Sequence, residues 1–366
     1  MKSTTSKVEL ENAINLVGKA LVSKISGEDG TICLIEHDDE LKLITTNECL
    51  TIEAAVNAET LDPFAKPVRV NGKLFSETVR KAADGDITLE QVGNHLSIIH
   101  ADGKTTIPLL DGAGKARALD EKTVDTKITI DASKFKDIAK RVIPFCSTDN
   151  VRPVFKGVNF STEGITLTAV SCDGFRLAKV VVECVRNSER DINVTVPATA
   201  INVIAAIIDD GSKIEIGLSS TGNFIVVYYN GIKVTSRLLN GDYINYENFF
   251  PKSFKTTAEI TRIKLLATLE RTVLLGGDNN LARFAITDGK LRVTAATEDG
   301  SLDDSVTIDN DGNAVNIAFN AKFITQALKT LSCDDVNFEC NRPNDPAIFR
   351  NGNTSFLILP VRQIGE

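Results

Sequence analysis

The centre of this 366-residue chain reads Val170-Ser171-Cys172-Asp173-Gly174-Phe175-Arg176-Leu177-Ala178. The residues before it (164–169) and those after the turn (177–182) each have the composition of a β-strand. Asp-Gly between two such runs is a strong hairpin signal, because both residues adopt the backbone angles of a tight turn. The stretch therefore predicts an antiparallel hairpin whose tip lies at Asp173 and Gly174.

Two weaker copies of this hairpin, one on either side, indicate an internal repeat. Leu43, Leu167 and Val293 occupy the matching strand, 124 and 126 residues apart. We expect an α+β protein of three domains with one topology, over residues 1–124, 125–252 and 253–366, although chance alternation of helices and strands would imitate part of this pattern. The three tips are Thr46-Asn47-Glu48, Ser171-Cys172-Asp173-Gly174 and Thr297-Glu298-Asp299-Gly300.

The helices of the predicted repeat are more basic than the rest of the chain. Apolar spacing predicts six helices, over residues 7–22, 72–83, 133–145, 197–208, 262–275 and 321–331. With the flanking Asp84, Asp209 and Asp210 they carry a net charge of +6, which leaves −14 elsewhere because the whole chain carries −8. Basic helices on an acidic body suit a protein that surrounds a polyanion and contacts phosphates without reading sequence. The other interpretation is that these cations occupy the solvated faces of ordinary helices.

The composition is that of a soluble globular protein, with 42% hydrophobic and 25% charged residues. The first residues lack the apolar segment of a signal peptide, and no run reaches the length of a membrane span. We therefore expect a cytoplasmic protein with no membrane partner. The seven cysteines are scattered without a C-x-x-C pair, which predicts reduced thiols and neither a disulfide framework nor a thiolate zinc site.

No pattern in the sequence indicates a catalytic or metal site. His37, His95 and His100 lack metal-ligand spacing, and the motifs of serine hydrolases, phosphate-binding loops and zinc proteases are absent. The acidic pairs at 298–299 and 303–304 are interpreted as loop surface. We expect a protein that is not an enzyme, with no catalytic residue, metal or cofactor. The alternative is a repeat-built scaffold or enzyme with an interdomain small-molecule site and no role on DNA.

Four motifs, in order along the repeat, resemble those of the bacterial sliding clamp family, the beta subunits of DNA polymerase III. Residues 171–178 are similar to the family's A-T-D-G-H-R-L-A, residues 241–252 to G-x-F-P-D-Y-x-x-x-x-P-K, and residues 357–362 to the terminal V-M-P-M-R. The fourth motif is Val151-Arg152-Pro153-Val154-Phe155-Lys156-Gly157-Val158. The resemblance extends over essentially the whole chain.

The resemblance implies a DNA-clamp fold in which two subunits join head to tail as a six-domain ring. In that family twelve helices line the hole and the sheets form the outer layer. The implied partners are duplex DNA without sequence preference, the replicative DNA polymerase, the clamp loader and other proteins that carry clamp-binding peptides. The implied DNA contacts are Lys19, Lys24, Arg80, Lys81, Lys136, Lys140, Arg141, Lys264, Arg271, Lys322 and Lys329.

The resemblance also implies a hydrophobic groove between the second and third domains that takes a short linear peptide. Such a groove needs apolar walls for a Leu or Phe anchor, with a polar rim to which Arg176 and Arg362 contribute. Core packing is the alternative for Phe155 and Leu177, and an ion pair with a neighbouring carboxylate is the favoured alternative for Arg176. Carried over position by position, the groove residues are Phe155, Cys172, Gly174, Phe175, Arg176, Leu177, Ile244, Phe249, Ile358, Leu359, Pro360, Val361 and Arg362.

Several groove positions depart from the family pattern. Cys172 stands where the family usually has Thr, Phe175 where it has His, and Ile244 where it has Pro, while residues 363–366 extend beyond the usual end. These departures predict a more apolar groove that binds the family's generic peptide weakly. The outer hairpins lack the Phe-Arg-Leu continuation of the central one, which indicates that the central copy is adapted for a partner.

The resemblance places the subunit contact more loosely. In the family, the outer strand of the first domain meets the first helix region of the third, which solves the problem of an unpaired strand edge. Packing within their own domain is the alternative for the apolar residues of this contact. The implied residues are Lys104, Ile107 and Leu109 on one subunit and Leu274, Leu275 and Glu298, with Asp303 or Asp304, on the other.

Overall fold

The computed structural model describes residues 2–21, 31–37, 40–47, 49–62, 67–110, 124–188, 190–275, 277 and 280–362. None of the described helices is both long enough and apolar enough to cross a bilayer. Three of the sequence-based expectations lie outside the described residues: Glu48 at the first hairpin tip, the DNA contact at Lys24 and the extension over residues 363–366.

Six α-helices lie where the apolar spacing predicts them. Several begin directly after a strand whose last residue caps the helix; the Asn71 and Asn320 side chains accept hydrogen bonds from backbone N–H groups of the first turn. The helices are α1 Lys7–Val17, α2 Gly72–Lys81, α3 Ala132–Val142, α4 Ala198–Ile207, α5 Arg262–Leu274 and α6 Ala321–Thr330.

The strands pair antiparallel throughout the described residues, which confirms the α+β class. They are β1 Lys2–Ser6, β2 Thr31–His37, β3 Glu40–Thr46, β4 Leu50–Val56, β5 Glu59–Asp62, β6 Val68–Asn71, β7 Asp86–Val92, β8 His95–His100, β9 Gly103–Pro108, β10 Val124–Asp131, β11 Gly157–Glu163, β12 Thr166–Cys172, β13 Arg176–Glu183, β14 Val185–Arg186, β15 Asn193–Pro197, β16 Lys213–Ser219, β17 Phe224–Tyr229, β18 Ile232–Arg237, β19 Thr256–Thr261, β20 Leu281–Thr287, β21 Lys290–Thr297, β22 Gly300–Thr307, β23 Asp309–Gly312, β24 Val315–Asn320, β25 Asp335–Cys340, β26 Ala347–Asn351 and β27 Thr354–Ile358.

The first of two compact units comprises Met1–Ser133, Val185–Asp191 and Thr199–Leu238. It contains a sheet of order β5-β1-β7-β8-β9 and a nine-stranded sheet of order β14-β10-β16-β17-β18-β4-β3-β2-β6. Helices α1 and α2 pack on each other, and α1 also packs on β3 and β4. Fully buried side chains such as Leu10 and Phe75 show why the apolar spacing of these helices predicted them correctly.

The second unit comprises Lys134–Cys184, Ile192–Ala198 and Leu239–Glu366. Its nine-stranded sheet has the order β15-β11-β12-β13-β27-β26-β25-β19-β23, and its four-stranded sheet the order β22-β21-β20-β24. Helices α5 and α6 pack on each other. The core beneath them contains Phe284, Phe319, Phe338 and Phe349, whose rings meet edge to face with centroids 5.3–6.4 Å apart.

The three hairpin tips of the repeat share one kind of turn. The side-chain oxygens of Asn47 and Asp173 accept hydrogen bonds from the backbone N–H groups two and three residues later, at 2.8–3.0 Å. The hydroxyl of Thr297 accepts one from the N–H two residues later, at 3.2 Å. These capping residues are 126 and 124 residues apart, which agrees with the repeat. The domain boundaries at residues 124 and 252 stay a prediction.

Candidate functional site

An apolar row crosses four strands of the nine-stranded sheet in the second unit. Cys172 pairs with Leu177, Leu177 with Leu357, and Leu357 with Ile348. Directly opposed residues project to the same face of a sheet, so these side chains form one continuous strip, and Val170 joins it from two residues before Cys172. All five side chains are buried. We call these five residues the apolar row.

The apolar row is covered by aromatic side chains from the chain that precedes β19. Leu177 is only 2% exposed and Phe155 is also buried, so in this structure both pack in the core of the unit. Their place in a peptide groove stays a prediction. The Tyr243 ring meets the Phe155 ring edge-on, with centroids 5.7 Å apart. The residues that pack on the row are Tyr243, Ile244, Tyr246, Phe250 and Phe254.

Arg176 lies on the opposite face of the sheet from the apolar row, and its expected place at the groove rim stays a prediction. Its side chain is only 8% exposed. The Nε group donates to Asp173 Oδ2 at 2.8 Å, and the guanidinium also donates to the Pro144 carbonyl oxygen at 2.9 Å and to Gln326. The ion pair expected as the alternative is the one observed. The Arg176 guanidinium therefore has its ion-pair and hydrogen-bond partners without any bound peptide.

A stack of aromatic rings encloses the Arg176 guanidinium. The guanidinium carbon lies 4.8 Å from the ring centroid of Phe145 and 4.5 Å from that of Phe323. Phe145 in turn stacks on Phe356 at 5.0 Å, and Phe323 on Phe175 at 6.4 Å. The stack joins the central hairpin to α6 and ends at the exposed Phe175 ring.

The exposed end of the predicted groove is formed by the hairpin tip and the C-terminal segment. Phe175 is 63% exposed, and its carbonyl oxygen accepts a hydrogen bond from the backbone N–H of Leu359, which is itself partly exposed. Arg362 is exposed, as a rim residue requires. Ile358 lies opposite Arg176 and is fully buried on that other face, and its place among the groove residues stays a prediction.

The remaining predicted groove residues are Gly174, Phe249, Pro360 and Val361. Gly174 has a φ of +94°, a conformation that favours glycine, and its N–H donates to Cys172 Sγ at 3.3 Å. Phe249 is exposed, and Pro360 and Val361 are half-buried. The predicted set therefore separates into a covered floor and a partly exposed edge.

Burial raises the pKa values of the ionisable groups at and beside the floor, so these groups stay neutral well above neutral pH. Burial raises the pKa of the Cys172 thiol, and it raises the pKa of Cys146 to about 12, with nearby Asp173 adding to the shift. The pKa of Tyr243 is raised in the same way, first by burial and then by the two thiols. The surface is therefore apolar at neutral pH. Within the described ranges, no three His, Cys, Asp or Glu side chains are placed together to hold a metal ion.

Sequence reasoning missed seven residues of this site, among them Tyr246, Phe250 and Phe254, which pack on the apolar row. Val170, Ile348 and Leu357 belong to the floor, and Tyr243 covers it. Tyr243 lies inside the recognised motif at residues 241–252, but the sequence does not show which way its side chain points. Leu357 could be found only from the pairing of β13 with β27, which joins residues 180 positions apart in sequence.

The cations predicted to contact DNA are mostly exposed. Lys136 is half-buried, and Arg80, Arg271 and Lys329 form exposed ion pairs with Glu77, Asp304 and Glu270. Such surface pairs contribute about 0–1 kcal/mol, so they exchange readily for a phosphate. Among these predicted DNA contacts, five exposed lysines have no ion pair within the described residues: Lys19, Lys81, Lys140, Lys264 and Lys322.

Arg141 is an exception among these cations, because it already holds two parts of the second unit together. Its guanidinium donates to Asp137 at 2.8 Å, to Asn353 at 3.0 Å and to Thr354 at 2.7 Å. These bonds tie α3 to the turn between β26 and β27. This arrangement favours a structural role over the predicted DNA contact.

The residues predicted for the subunit contact are placed unequally. Leu274 is 84% exposed, whereas Ile107 is buried within its own sheet and Leu275 is half-buried. Lys104 and Glu298 are exposed. Both elements involved, β9 and β22, stand at the end of their sheet's strand order. Of the two further acidic candidates, Asp303 pairs with Arg292 and Asp304 with Arg271, so neither awaits a partner.

Two family profiles match the chain one after the other. The profile described as DNA polymerase III beta subunit, central domain, matches residues 129–245, and the one described as DNA polymerase III beta subunit, C-terminal domain, matches residues 247–362. Together they cover more than half of the chain.

Curated relatives and solved structures match over the whole length. The beta sliding clamp of Synechocystis sp. is 26% identical over 400 residues, covering 100% of both chains, and that of Bacillus subtilis is 25% identical over 379 residues, covering 99% and 100%. The crystal structure titled as a putative DNA polymerase III beta subunit from Eubacterium rectale has a TM-score of 0.92 at 26% identity and covers 99% of each chain. The DNA polymerase sliding clamp of Bacillus subtilis also has a TM-score of 0.92, at 22% identity and full coverage.

Proposed function

The chain belongs to the family of bacterial DNA polymerase III beta subunits, and from this premise we propose that it acts as a DNA sliding clamp, a ring that encircles duplex DNA and tethers replication proteins. The observation that carries the proposal is the match to a curated beta sliding clamp that aligns 100% of this chain with 100% of that protein. We propose no catalytic step, and the absence of an enzymatic activity stays a prediction.

The exposed lysines on the helices support a non-specific contact with DNA. Lysines contact phosphates through charge alone, so they hold the duplex without reading its sequence, and such contacts weaken steeply as salt rises. We assign this role to Lys19, Lys81, Lys140, Lys264 and Lys322, with Lys136 and the ion-paired Arg80, Arg271 and Lys329 at its margin, and leave Arg141 out of the set.

The proposed ring is a head-to-tail homodimer that joins β9 of one subunit to the region of β22 and the end of α5 of the other. Two strands at sheet ends leave backbone groups that a partner strand would satisfy. The exposed Leu274 supplies apolar surface, and Lys104 and Glu298 supply opposite charges. We do not include Ile107, because it is buried within its own sheet.

The proposed tether is a linear peptide of the replicative polymerase, the clamp loader or another replication protein. It would pack on the apolar row and on the exposed edge formed by Phe175 and Leu359, with Arg362 at the rim. A hydrophobic floor with a polar edge is typical of peptide-binding sites.

A topological test separates a ring from an ordinary DNA-binding protein. The chain is loaded by a clamp loader onto nicked circular DNA, and the complex is isolated by gel filtration before and after linearisation with a restriction enzyme. We expect retention on the circle, loss from the linear DNA, and renewed retention when both ends carry a bound protein block.

The matched measurement is the mass of the free protein by light scattering. A dimer has twice the 39.6 kDa chain mass. Equal retention on circular and linear DNA, or a monomer at every working concentration, would contradict the ring.

A further inference from the structure

Residues 241–250, which we call the covering segment, lie over the apolar row and are held there by side chains. The backbone hydrogen bonds that the structure gives this segment, from the N–H of Tyr246 to the carbonyl oxygen of Ile244 and from that of Phe250 to that of Glu247, both close within the segment. Its attachment to the sheet is apolar packing together with one ion pair. A segment attached in this way can lift without breaking the sheet.

Lys179 supplies the polar part of this attachment. It lies opposite Val170 in the pairing of β12 with β13, and therefore on the same face as the apolar row. Its Nζ lies 2.6 Å from Glu247 Oε1 and 5.4 and 5.5 Å from the ring centroids of Tyr246 and Phe250. One side chain thus contacts three residues of the covering segment, through charge and through two aromatic faces.

Tyr243 is the least satisfied residue of the covering segment. Its hydroxyl is buried beside the backbone N–H of Cys172, which lowers the tyrosine pKa against the larger effect of burial, and it makes no well-formed hydrogen bond with any of the described residues. A buried hydroxyl without a partner destabilises the state that buries it. Its ring packs against Phe155, which the family resemblance places in the groove. The covered state therefore contains a local defect at the position where a ligand is expected.

The apolar row has no free surface while the segment covers it. Leu177, Leu357 and Cys172 are each between 2% and 6% exposed. An apolar anchor of a peptide needs tens of square ångströms of contact with such a floor, so it cannot enter until the covering side chains move. Binding must therefore include the lifting of at least part of the covering segment.

We propose that the covering segment is a lid on the peptide groove, that Lys179 is the positioning residue that latches it, and that the Tyr243 ring occupies the place of an apolar peptide side chain against Phe155. The ligand in this proposal rests on the proposed function, whereas the lid itself does not. The affinity for a peptide is then the intrinsic affinity of the open groove reduced by the fraction of chains whose lid is open.

The first test measures the lid without any peptide. Cys172 lies beneath the lid, so its modification by a small maleimide, followed site by site with mass spectrometry, reports opening. We expect Lys179→Met to speed this reaction about fivefold, since an ion pair and cation–π contacts are lost. Glu247→Gln removes the ion pair alone and should give a smaller increase, about twofold.

Tyr243→Phe is expected to act in the opposite direction. It removes a buried hydroxyl that makes no well-formed hydrogen bond and keeps the ring, so the covered state gains stability and the labelling of Cys172 slows about tenfold. Lys213→Met, which removes an exposed lysine from the first unit, is the control and should leave the rate unchanged. Equal rates in the parent, Lys179→Met and Tyr243→Phe would overturn the lid.

The second test measures peptide binding by fluorescence polarisation, with a labelled peptide that carries a Leu and a Phe anchor. We expect Lys179→Met to bind about fivefold more tightly than the parent and Tyr243→Phe about tenfold more weakly. Unchanged affinities with changed labelling rates would overturn the claim that the peptide displaces the lid. If neither the parent nor Lys179→Met binds while the labelling rates change as expected, the lid stands and the proposed peptide function falls.

Discussion

The hairpins at Asp173 and Thr297 have the same turn and different surroundings. In each, a side-chain oxygen at the first turn residue accepts from the backbone two residues later. A glycine with positive φ lies one residue after Asp173 in the central hairpin and three residues after Thr297 in the other. After the turn, the central hairpin continues with the buried Arg176 and Leu177. The other continues with Gly300 and the exposed Ser301. The turn is thus a local property, whereas the role of the hairpin depends on the strands beside it.

The difference arises from position within a sheet. The second strand of the central hairpin, β13, lies between β12 and β27, so both of its edges are paired, and its first three residues are buried on both faces. The second strand of the other hairpin, β22, ends a four-stranded sheet, and its side chains alternate between exposed and partly exposed. Only the central hairpin can therefore carry a buried cation on one face and an apolar row on the other.

The charges of the two hairpins show the same contrast. Arg176 is buried within hydrogen bonds and aromatic rings, whereas Arg292 pairs with Asp303 at the surface. The hydrogen bond from Arg292 lowers the pKa of Asp303, and solvent and salt screen this effect because both groups are exposed. A lowered carboxyl pKa stabilises the fold above the unfolded-state value and ceases to do so as pH falls through the folded-state value.

The largest expected effect comes from a charge in the apolar row. Leu177→Asp places a carboxylate among Cys172 and Leu357, which costs several kcal/mol of unfolding free energy and lowers peptide affinity more than about 100-fold. The measurement is fluorescence polarisation with a clamp-binding peptide, after circular dichroism has established that the variant is folded. Leu177→Ala, a milder change, should still cost about 2–4 kcal/mol and weaken the peptide about tenfold.

The matched control is Ser301→Asp, at the position that corresponds to Leu177 in the other hairpin. Ser301 is exposed, so we expect peptide affinity and stability close to those of the parent. Equal peptide affinity in the parent, Leu177→Asp and Ser301→Asp would contradict the assignment of the peptide groove to the central hairpin.

The next effect in size concerns the two arginines. Arg176→Met leaves the Asp173 carboxylate without its main partner in a buried setting, and we expect a loss of about 3 kcal/mol in the free energy of urea unfolding. Arg292→Met breaks an exposed pair and should cost less than about 1 kcal/mol. A similar loss in both variants would show that the aromatic enclosure of Arg176 adds no stability.

The smallest effect should come from the two turn glycines, which occupy different positions: Gly174 is one residue after Asp173, and Gly300 is three residues after Thr297. Gly174→Ala and Gly300→Ala each place a side chain at a positive φ, and each should cost about 1 kcal/mol in thermal or urea unfolding. Peptide affinity is the discriminating measurement, because only Gly174 adjoins the apolar row. A large loss of stability in either variant would contradict the small cost expected for a side chain at a positive φ.

Local patterns were sufficient to predict much of this molecule. The six helices follow from apolar spacing, and the hairpin tips follow from Asn, Asp, Thr and Gly at their turns. An ion pair of Arg176 with a neighbouring carboxylate was also expected, and the partner, Asp173, lies three positions earlier across the tight turn. In each case the interacting residues are close in sequence, so the local sequence is sufficient to predict the interaction.

The first strand shows where such patterns fail. The sequence of β1, Lys-Ser-Thr-Thr-Ser, has no apolar alternation, yet Ser3 and Thr5 are buried. Ser3 shares a hydrogen bond with the Thr60 hydroxyl at 3.2 Å, and the Thr5 hydroxyl donates to the Asn57 carbonyl oxygen at 2.7 Å. Residues distant in sequence supply the hydrogen-bond partners of these hydroxyls, so the local sequence does not predict the strand.

The central stretch, residues 170–178, contains both kinds of feature, one that the local sequence determines and one that depends on distant residues. By itself the sequence determined the turn at Asp173 and Gly174, because backbone preference and a side-chain acceptor act within four residues. Only the tertiary structure decided that Leu177 faces the apolar row while Arg176 and Ile358 face α6, because strand register sends neighbouring residues to opposite faces. That register depends on β27, which lies 180 residues away, so no reading of the stretch alone could supply it.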